Sequence, residues 1–319
     1  MILVVGQHPD PHIETVCALL RNQGTPVCIL DRYATEDYIS FEMSGGKNRG
    51  YIHSQGTTFS LDEISCVWWR VKPAAPVEFP GGGGTLSEQF RSKEWNALLR
   101  SLPAWLSHVP WINPLINYQS PRTKPGQLML AREIGFTIPD TVISNNIDDI
   151  APMFNRHKEI IYKTLDSFLI PPDKIIYTNI TTKDDVLQRR EEIRLAPCMF
   201  QEFLQKSYEL RVTVVGDRIF SVAIDSQSDV RTKIDWRRDQ SRSMYSSTDI
   251  GEALTSKLRT YMTKASLVYG AFDFVVTLDE QVVFLECNPS GQWLWLEKAT
   301  NLPISQAVAD LLAQSTSTT

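Results

Sequence analysis

Nowhere does the chain carry a run of about 18 apolar residues, so no membrane-spanning helix is expected. No basic stretch precedes its first apolar run. Met1-Ile2-Leu3-Val4-Val5-Gly6 leads into a turn and reads as a first strand, not a signal peptide. Positive charge is not in excess. The net charge of −5 gives no reason to expect bulk nucleic-acid binding. The five cysteines (Cys17, Cys28, Cys66, Cys198 and Cys287) show no Cys-x-x-Cys spacing. Their odd number and mostly apolar surroundings read as buried free thiols in a reducing cytoplasm. The five histidines form no His-Glu-x-x-His or other paired-ligand pattern. His8 and His12 flank a turn and are read as surface-loop residues. A single glycine, Gly6, lies in the first turn, so no dinucleotide fingerprint is present. Internal repeats are also missing. What is present is an ordinary globular composition, 42% hydrophobic and 22% charged over 319 residues. That length suits two or three sub-domains around a sizeable core.

Apolar periodicity and turn residues divide the chain. Strands over 2–6 and 26–31 flank an amphipathic helix over 13–22 that stops at Gly24, a βαβ start. A strand over 66–71 follows, then a flexible loop over 76–84 with four consecutive glycines, then a long helix over 87–106. Residues 120–126 open a helix with Leu128, Leu130, Ala131 and Ile134 on one face and Gly135 as its stop. Strands are expected over 138–143, 159–163 and 198–204, and helices over 147–155 and 182–195, the latter densely charged. Hairpins join 209–215 to 218–225 through Gly216-Asp217, and 272–278 to 281–287 through Asp279-Glu280. A helix over 251–269 lies between them. Asn301-Leu302-Pro303 caps a last helix, which frays into a polar tail over 315–319. The pattern is that of an α/β or α+β chain.

Three oxygen-bearing side chains stand out near the end. Asp273 sits inside Ala271-Phe272-Asp273-Phe274, and Glu286 and Asn288 lie in Phe284-Leu285-Glu286-Cys287-Asn288-Pro289. Ionised groups are rarely buried without a partner, and Glu-x-Asn puts two ligands on one face of a strand. A few hard oxygens suit Mg²⁺, whose shell phosphate oxygens complete. The same acids also fit a plain hairpin with salt bridges at its ends. Lys163 ends an apolar strand, where its ammonium needs an anion, either a nucleotide phosphate or a structural carboxylate. Lys124 opens a helix against the dipole, and a bound phosphate there would meet both the lysine and the positive helix end. Residues 201–204, Gln-Glu-Phe-Leu, offer backbone groups to a purine edge, with Met199 or Phe200 beside it. For Glu209 and Arg211 the plain alternative to a binding role is a salt bridge across the hairpin. Segment 229–237 reads equally as a solvated arm.

In their order these features resemble the ATP-grasp superfamily. The matching positions are Lys124, Lys163, the hinge 201–204, Glu-Leu-Arg-Val-Thr-Val-Val-Gly at 209–216, Asp273, and Glu-Cys-Asn-Pro at 286–289. The resemblance covers the whole chain. It narrows with Asn-Pro-Ser-Gly-Gln-Trp-Leu-Trp-Leu-Glu at 288–297 and Thr-Asn-Leu-Pro-Ile at 300–304. Trp68-Trp69-Arg70 and Asp-Val-Arg-Thr-Lys-Ile-Asp-Trp-Arg at 229–237 narrow it further. These segments are similar to the graspetide maturases of ribosomal peptides, best known from the microviridin type.

The resemblance implies an ATP-grasp fold. An N-terminal βαβ pre-ATP-grasp domain would span 1–115, a small central α+β subdomain 116–204, and a C-terminal α+β subdomain 205–319. It implies a cytoplasmic, ADP-forming ligase using ATP and Mg²⁺. Such an enzyme activates a core Asp or Glu carboxylate of a precursor peptide as an acylphosphate. A Ser or Thr hydroxyl (omega-ester) or a Lys amine (omega-amide) then closes a macrocycle. The implied partners are the leader and core of that precursor and a second copy of the chain, with no nucleic acid and no membrane. By position, Lys124 and Lys163 would hold phosphates, and Gln201, Glu202, Phe203 and Leu204 the adenine. Asp273, Glu286 and Asn288 would hold magnesium, Arg211 would face the γ-phosphate, and Glu209 and Arg231 would engage the core peptide. Arg189 and Arg190 in the charged helix are candidates for leader docking.

Two departures stand against the family pattern. No glycine follows Lys163 in Thr164-Leu165-Asp166-Ser167-Phe168, where many ATP-grasp enzymes carry a glycine-rich phosphate loop. Position 206 is lysine, where related amino-acid ligases often carry a ribose-binding acid, which leaves Glu209 as a nearby candidate. Two other functions share the nucleotide site: a RimK-like ligase joining free amino acids to a carboxylate, and a non-catalytic nucleotide- or peptide-binding module. The Gly-Gln-Trp-Leu-Trp and Asp-Trp-Arg segments favour the macrocyclase. Both lysines and all three metal ligands being in place favours catalysis.

Overall fold

The computed structural model describes residues 1–7, 9–31, 34, 36–44, 47–71, 85–114, 123–165, 169–170, 174–175, 178–239 and 244–315. The expectations for His8, the loop over 76–84, residues 120–122 and 166–168, and the tail beyond Ser315 lie outside these.

The chain begins with β1 (Ile2–Val5), α1 (Pro11–Asn22) and β2 (Val27–Leu30). Asp10 caps α1, and Pro11 occupies its first turn, where a missing N–H costs nothing. An antiparallel meander follows: β3 (Tyr38–Ser44), β4 (Lys47–Ser54) and β5 (Thr57–Ser60). The sequence did not announce it, because β3 keeps only alternate positions half-buried and carries no continuous apolar run. Then come β6 (Cys66–Trp69), α2 (Leu86–Trp105) and β7 (Trp111–Ile112). The long helix starts at a capping box of Thr85 and Glu88. Strands β2-β1-β6-β7 form one parallel sheet.

The middle of the chain runs α3 (Lys124–Ile134), β8 (Thr141–Ser144), α4 (Ile147–Ile150), α5 (Met153–Arg156) and β9 (Ile160–Lys163). It continues with β10 (Leu169–Ile170), β11 (Lys174–Ile175), β12 (Asn179–Thr181), α6 (Lys183–Gln188), α7 (Arg190–Leu195) and β13 (Cys198–Glu202). Strands β12-β9-β13-β8 make an antiparallel sheet. The expected helix over 147–155 is broken at Pro152, which has no N–H to continue it. The charged helix over 182–195 splits at Arg189. Each six-residue piece buries one apolar side chain, Val186 or Ile193, too little packing to impose a single axis.

The last part holds β14 (Lys206–Val215), β15 (Arg218–Asp225), β16 (Met244–Ser247), α8 (Gly251–Lys264), β17 (Tyr269–Thr277), β18 (Val282–Asn288), α9 (Leu294–Thr300) and α10 (Ile304–Ser315). The strands form an antiparallel sheet ordered β16-β15-β14-β17-β18. Two apolar clusters bind the parts together. In one, Ile2, Val4, Ile13 and Trp68 pack with Trp293, Leu296, Val308 and Leu312. In the other, Leu128, Ala131 and Phe136 pack with Phe272, Phe274 and Phe284. Buried Gln127 of α3 also pairs with the backbone of Cys287, donating to its carbonyl at 2.7 Å and accepting its N–H at 3.0 Å.

Asn113 is the polar joint beside the first cluster. Its amide donates to the carbonyls of Tyr269 and Pro289, both at 2.8 Å, and its oxygen accepts from the N–H groups of Val268 and Tyr269. The side chain is 4% exposed, so its partners have no water to fall back on. Asn113→Ala is therefore expected to cost about 2–4 kcal/mol, since each orphaned buried group costs about 1–3 kcal/mol. Urea unfolding of both forms checks this.

Candidate active site

Register builds the site. Arg211 of β14 lies opposite Asp273 of β17, which lies opposite Glu286 of β18. Directly opposed residues of antiparallel strands share a face, so these three side chains form one row across three strands. Asn288, two positions beyond Glu286, stands on the same face opposite Ala271. A bulge leaves Leu285 unpaired and returns Phe284 to the core opposite Phe274. The row thus follows from the phase of the strands.

Arg211 donates from Nη1 to Asp273 Oδ2 at 2.6 Å and from Nη2 to the Gln292 carbonyl at 3.3 Å. Burial works against its charge, and the Asp273 charge and hydrogen bond outweigh that and raise its pKa. Its Nε is buried without a partner among the described residues. Burial raises the Asp273 carboxyl, Arg211 pulls it back, and neighbouring Glu286 raises it further. Asn288 Oδ1 accepts the Ser290 N–H at 2.9 Å, leaving a second lone pair.

The two lysines meet at the end of β9. Lys124 Nζ donates to the carbonyl of Thr164, next to Lys163, at 2.6 Å. Burial pushes the Lys163 ammonium down to about 8. Glu286 opposes that shift, and Lys124 and Arg237 add to it. Lys163 is thus within electrostatic reach of Glu286.

The hinge residues lie as a strand end. Gln201 is buried and donates to Thr141 Oγ1, and Glu202 accepts the Asp140 N–H. The Phe203 N–H is taken by the Glu159 carbonyl. Leu204 follows the last ladder residue, so its backbone lies outside the sheet.

Glu209 and Arg211 do not bridge to each other. Glu209 is paired with buried Lys206, which also donates to the Ile234 carbonyl. Burial raises the Glu209 carboxyl against that lysine's pull. A free ribose-binding carboxylate is therefore not found at Glu209. Arg231 is exposed and held by Asp229 and Asp239. The structure does not bring it to the Asp273 row.

What it brings instead is Arg237. Its Nε and Nη2 grip both oxygens of Asp235, at 2.8 and 2.7 Å. Its charge responds first to Asp235 and then to Glu286 and Asp273. Burial raises the Asp235 carboxyl, but Arg237 outweighs it and holds it at about 2. Between them, Trp236 is buried against Trp295, ring centroids 4.7 Å apart. The Asp-Trp-Arg and Gly-Gln-Trp-Leu-Trp segments thus touch, which only the fold could reveal. His12 is a second correction. It is 5% exposed, and its Nε2 accepts the N–H groups of Trp293 and Leu294. An apolar sheet–helix junction, not the loop, surrounds it.

Among the described residues no group of three His, Cys, Asp or Glu side chains is arranged to hold a metal ion by itself. Two carboxylates and one amide, with Lys163 near and an orphaned Arg211 Nε, fit a cation that shares its shell with an anion. A closed all-protein cage would need more acids.

No family model matches the sequence, and no curated protein matches it. Solved structures do match. Macrocyclase MdnC bound with precursor peptide MdnA, from Microcystis aeruginosa MRC, is similar with a TM-score of 0.85 and 32% identity, covering 98% of this chain and 99% of that one. The RiPP-associated ATP-grasp ligase of Chryseobacterium gregarium, in complex with ADP and a leader and core peptide, gives 0.83 and 25%, covering 98% and 96%. Macrocyclase MdnB from Microcystis aeruginosa MRC gives 0.79 and 26%, covering 98% of each. With its fold matched throughout and a relative 32% identical over nearly the whole of both chains, this chain belongs to the ATP-grasp macrocyclases of ribosomal peptides, the graspetide maturases.

Proposed function

We propose that the enzyme cyclises a ribosomally made precursor peptide at the expense of ATP. The observation that carries this reading is the row of Arg211, Asp273, Glu286 and Asn288 beside Lys163, in a chain 32% identical to a macrocyclase. Lys124 and Lys163 would bind the phosphates, and strand end 201–204 the adenine. Asp273, Glu286 and Asn288 would hold Mg²⁺, which would supply positive charge to offset that of the phosphates.

The chemistry balances in two steps. An oxygen of a core Asp or Glu carboxylate attacks the γ-phosphorus, and the bond to the β-phosphate oxygen breaks to release ADP. A hydroxyl or amine then attacks the acyl carbon, the bond from that carbon to the bridging phosphate oxygen breaks, and phosphate leaves with the electron pair. The nucleophile's proton goes to solvent or a nearby base. Arg211, already turned toward this face, would stabilise charge as it develops. Arg237 suits docking of the carboxylate, because a guanidinium fixed on one edge presents a rigid donor to a second anion. The cytoplasm is proposed from the five free cysteines, four of them buried. A homodimer is proposed from the family resemblance, and light scattering checks it.

Mass spectrometry of the precursor encoded beside the gene, incubated with enzyme, ATP and Mg²⁺, tests the reading. Loss of one water per ring, with ADP formed in step, is expected. ADP formed only with free amino acids would replace it with simple ligation. Glu286→Gln should lower ADP formation at least about a hundredfold with an unchanged melting temperature, since it removes a charged metal ligand. Wild-type turnover in that variant would remove the site.

Lys163 makes a pH prediction. Below its folded value of about 8 it is charged and binds phosphate, and above that it loses its proton. Metal-free ADP affinity should therefore weaken about tenfold between about pH 7 and about pH 9, following the protonated fraction. Calorimetric titrations across that range check it, and a flat profile would take Lys163 out of the phosphate site.

A further inference from the structure

The segment that follows the last metal ligand is held from two sides. On one side is the C-terminal sheet. Arg211 Nη2 donates to the Gln292 carbonyl at 3.3 Å, and the Tyr269 hydroxyl donates to the Gly291 carbonyl at 2.7 Å. Gly291 packs so closely that an added Cβ would overlap Ala271 Cβ and stand 2.8 Å from Arg211 Nη2. On the other side is a polar cluster from the start of α1 and the end of β6 in the N-terminal parallel sheet, 220 residues away in sequence for the Arg70–Ser290 contact.

Arg70 is the hub of that cluster. It donates from Nη1 to the Ser290 carbonyl at 3.2 Å and from Nη2 to Asp10 at 3.4 Å. Its guanidinium lies over the faces of Trp68 and Trp293, 5.6 and 5.3 Å from their centroids. Asp10 also takes the His12 side chain at Nδ1, 3.1 Å away. Nε2 of His12 faces two backbone N–H groups, of Trp293 at 3.1 Å and Leu294 at 3.3 Å, so it must carry a lone pair. The proton then sits on Nδ1 and is donated to Asp10. A chain of charge and hydrogen bonds thus runs from Asp10 to the backbone at 290 and at 293–294.

Stability alone does not explain this cluster. Arg70 is 9% exposed, and a buried ion pair is often no better for the fold than apolar side chains of similar volume. The surrounding Trp68, Trp293 and Ile13 already supply an apolar junction. What the polar atoms add is direction: each fixes a particular carbonyl or N–H of 290–294. One residue separates the Ser290 carbonyl from Asn288, and four separate the Trp293 N–H from it. Between them and the Arg211–Asp273 pair lies a single hydrogen bond at Gln292.

We propose that Arg70, with Asp10 and His12, is a positioning residue for the magnesium site, fixing segment 289–294 so that Asn288 and the Arg211–Asp273 pair hold one arrangement. The inference rests on the reading that Asp273, Glu286 and Asn288 bind Mg²⁺. It assigns the N-terminal parallel sheet and its first helix a part in metal binding, although they contribute none of the three proposed ligands.

The test is ADP binding to the full chain by calorimetry, with Mg²⁺ and with EDTA, so no peptide is needed. In the wild type Mg²⁺ is expected to tighten ADP. In Arg70→Met that gain should fall about tenfold or more, the usual effect of loosening a group behind a metal ligand, while metal-free ADP affinity stays within about twofold. His12→Phe, which keeps a ring against Trp293 but removes the acceptor, should behave alike. His12→Gln, whose amide oxygen can reach the same N–H groups, should recover most of the gain. An undiminished magnesium gain in both Arg70→Met and His12→Phe overturns the proposal. So does a parallel loss of ADP affinity with and without the metal, which would mean general disruption. If Arg70→Met does not fold, the His12→Phe and His12→Gln pair decides alone. No magnesium gain in the wild type itself would instead sink the metal reading, a separate result.

Discussion

Arg211 and Asp273 meet across neighbouring strands within a five-stranded sheet, with most of their surface out of water. Removing two charges from solvent costs several kcal/mol per ion, and one contact of 2.6 Å recovers only part of it. The rest must come from further polar neighbours. The Gln292 carbonyl supplies one, which requires the chain to pass close by, and Gly291 permits that approach by having no side chain. Asn113, Arg70 and His12 then hold the passing segment from behind. Three buried polar side chains thus converge on the segment beside this pair.

The site mixes both signs. Lys124, Lys163, Arg211 and Arg237 gather with Asp235, Asp273 and Glu286 where the end of β9 meets β14, β17 and β18. Arg211 pairs with Asp273 and Arg237 with Asp235, while burial lowers the ammonium of Lys163 and raises the carboxyl of Asp273. A magnesium–triphosphate unit carries the complementary pattern, with metal against the acids and phosphate oxygens against the lysines. The lysines come from α3 and β9 and the acids from β17 and β18, so elements of both antiparallel sheets and a helix meet here.

Much of this was legible in the residues. The apolar runs around Asp273 and Glu286 placed both on strands, and Glu-x-Asn put Glu286 and Asn288 on one face. The hairpin through Gly216-Asp217 and the βαβ start were equally plain, because turn glycines and period-two patterns act locally. Illegible parts failed for local reasons too. The β3–β5 meander is half exposed and its pattern weak. The helix over 182–195 has regular charge but too little apolar anchoring to stay whole. His12 follows a turn and looks solvent-facing until the Trp293 segment covers it.

By itself the sequence determined which side chains could act: the acids, lysines and arginines embedded in apolar strands, and the order of elements that carries them. Periodicity and turn chemistry suffice for that, since they depend on neighbours a few residues away. Tertiary structure decided which of those side chains work together. It paired Glu209 with Lys206 and set Arg231 among Asp229 and Asp239, leaving Arg237 beside Glu286 and Asp273. It also drew His12 and Arg70 onto a segment more than 200 residues away. Such choices turn on burial and packing, where desolvation leaves each charge only the partner that the folded chain brings within reach.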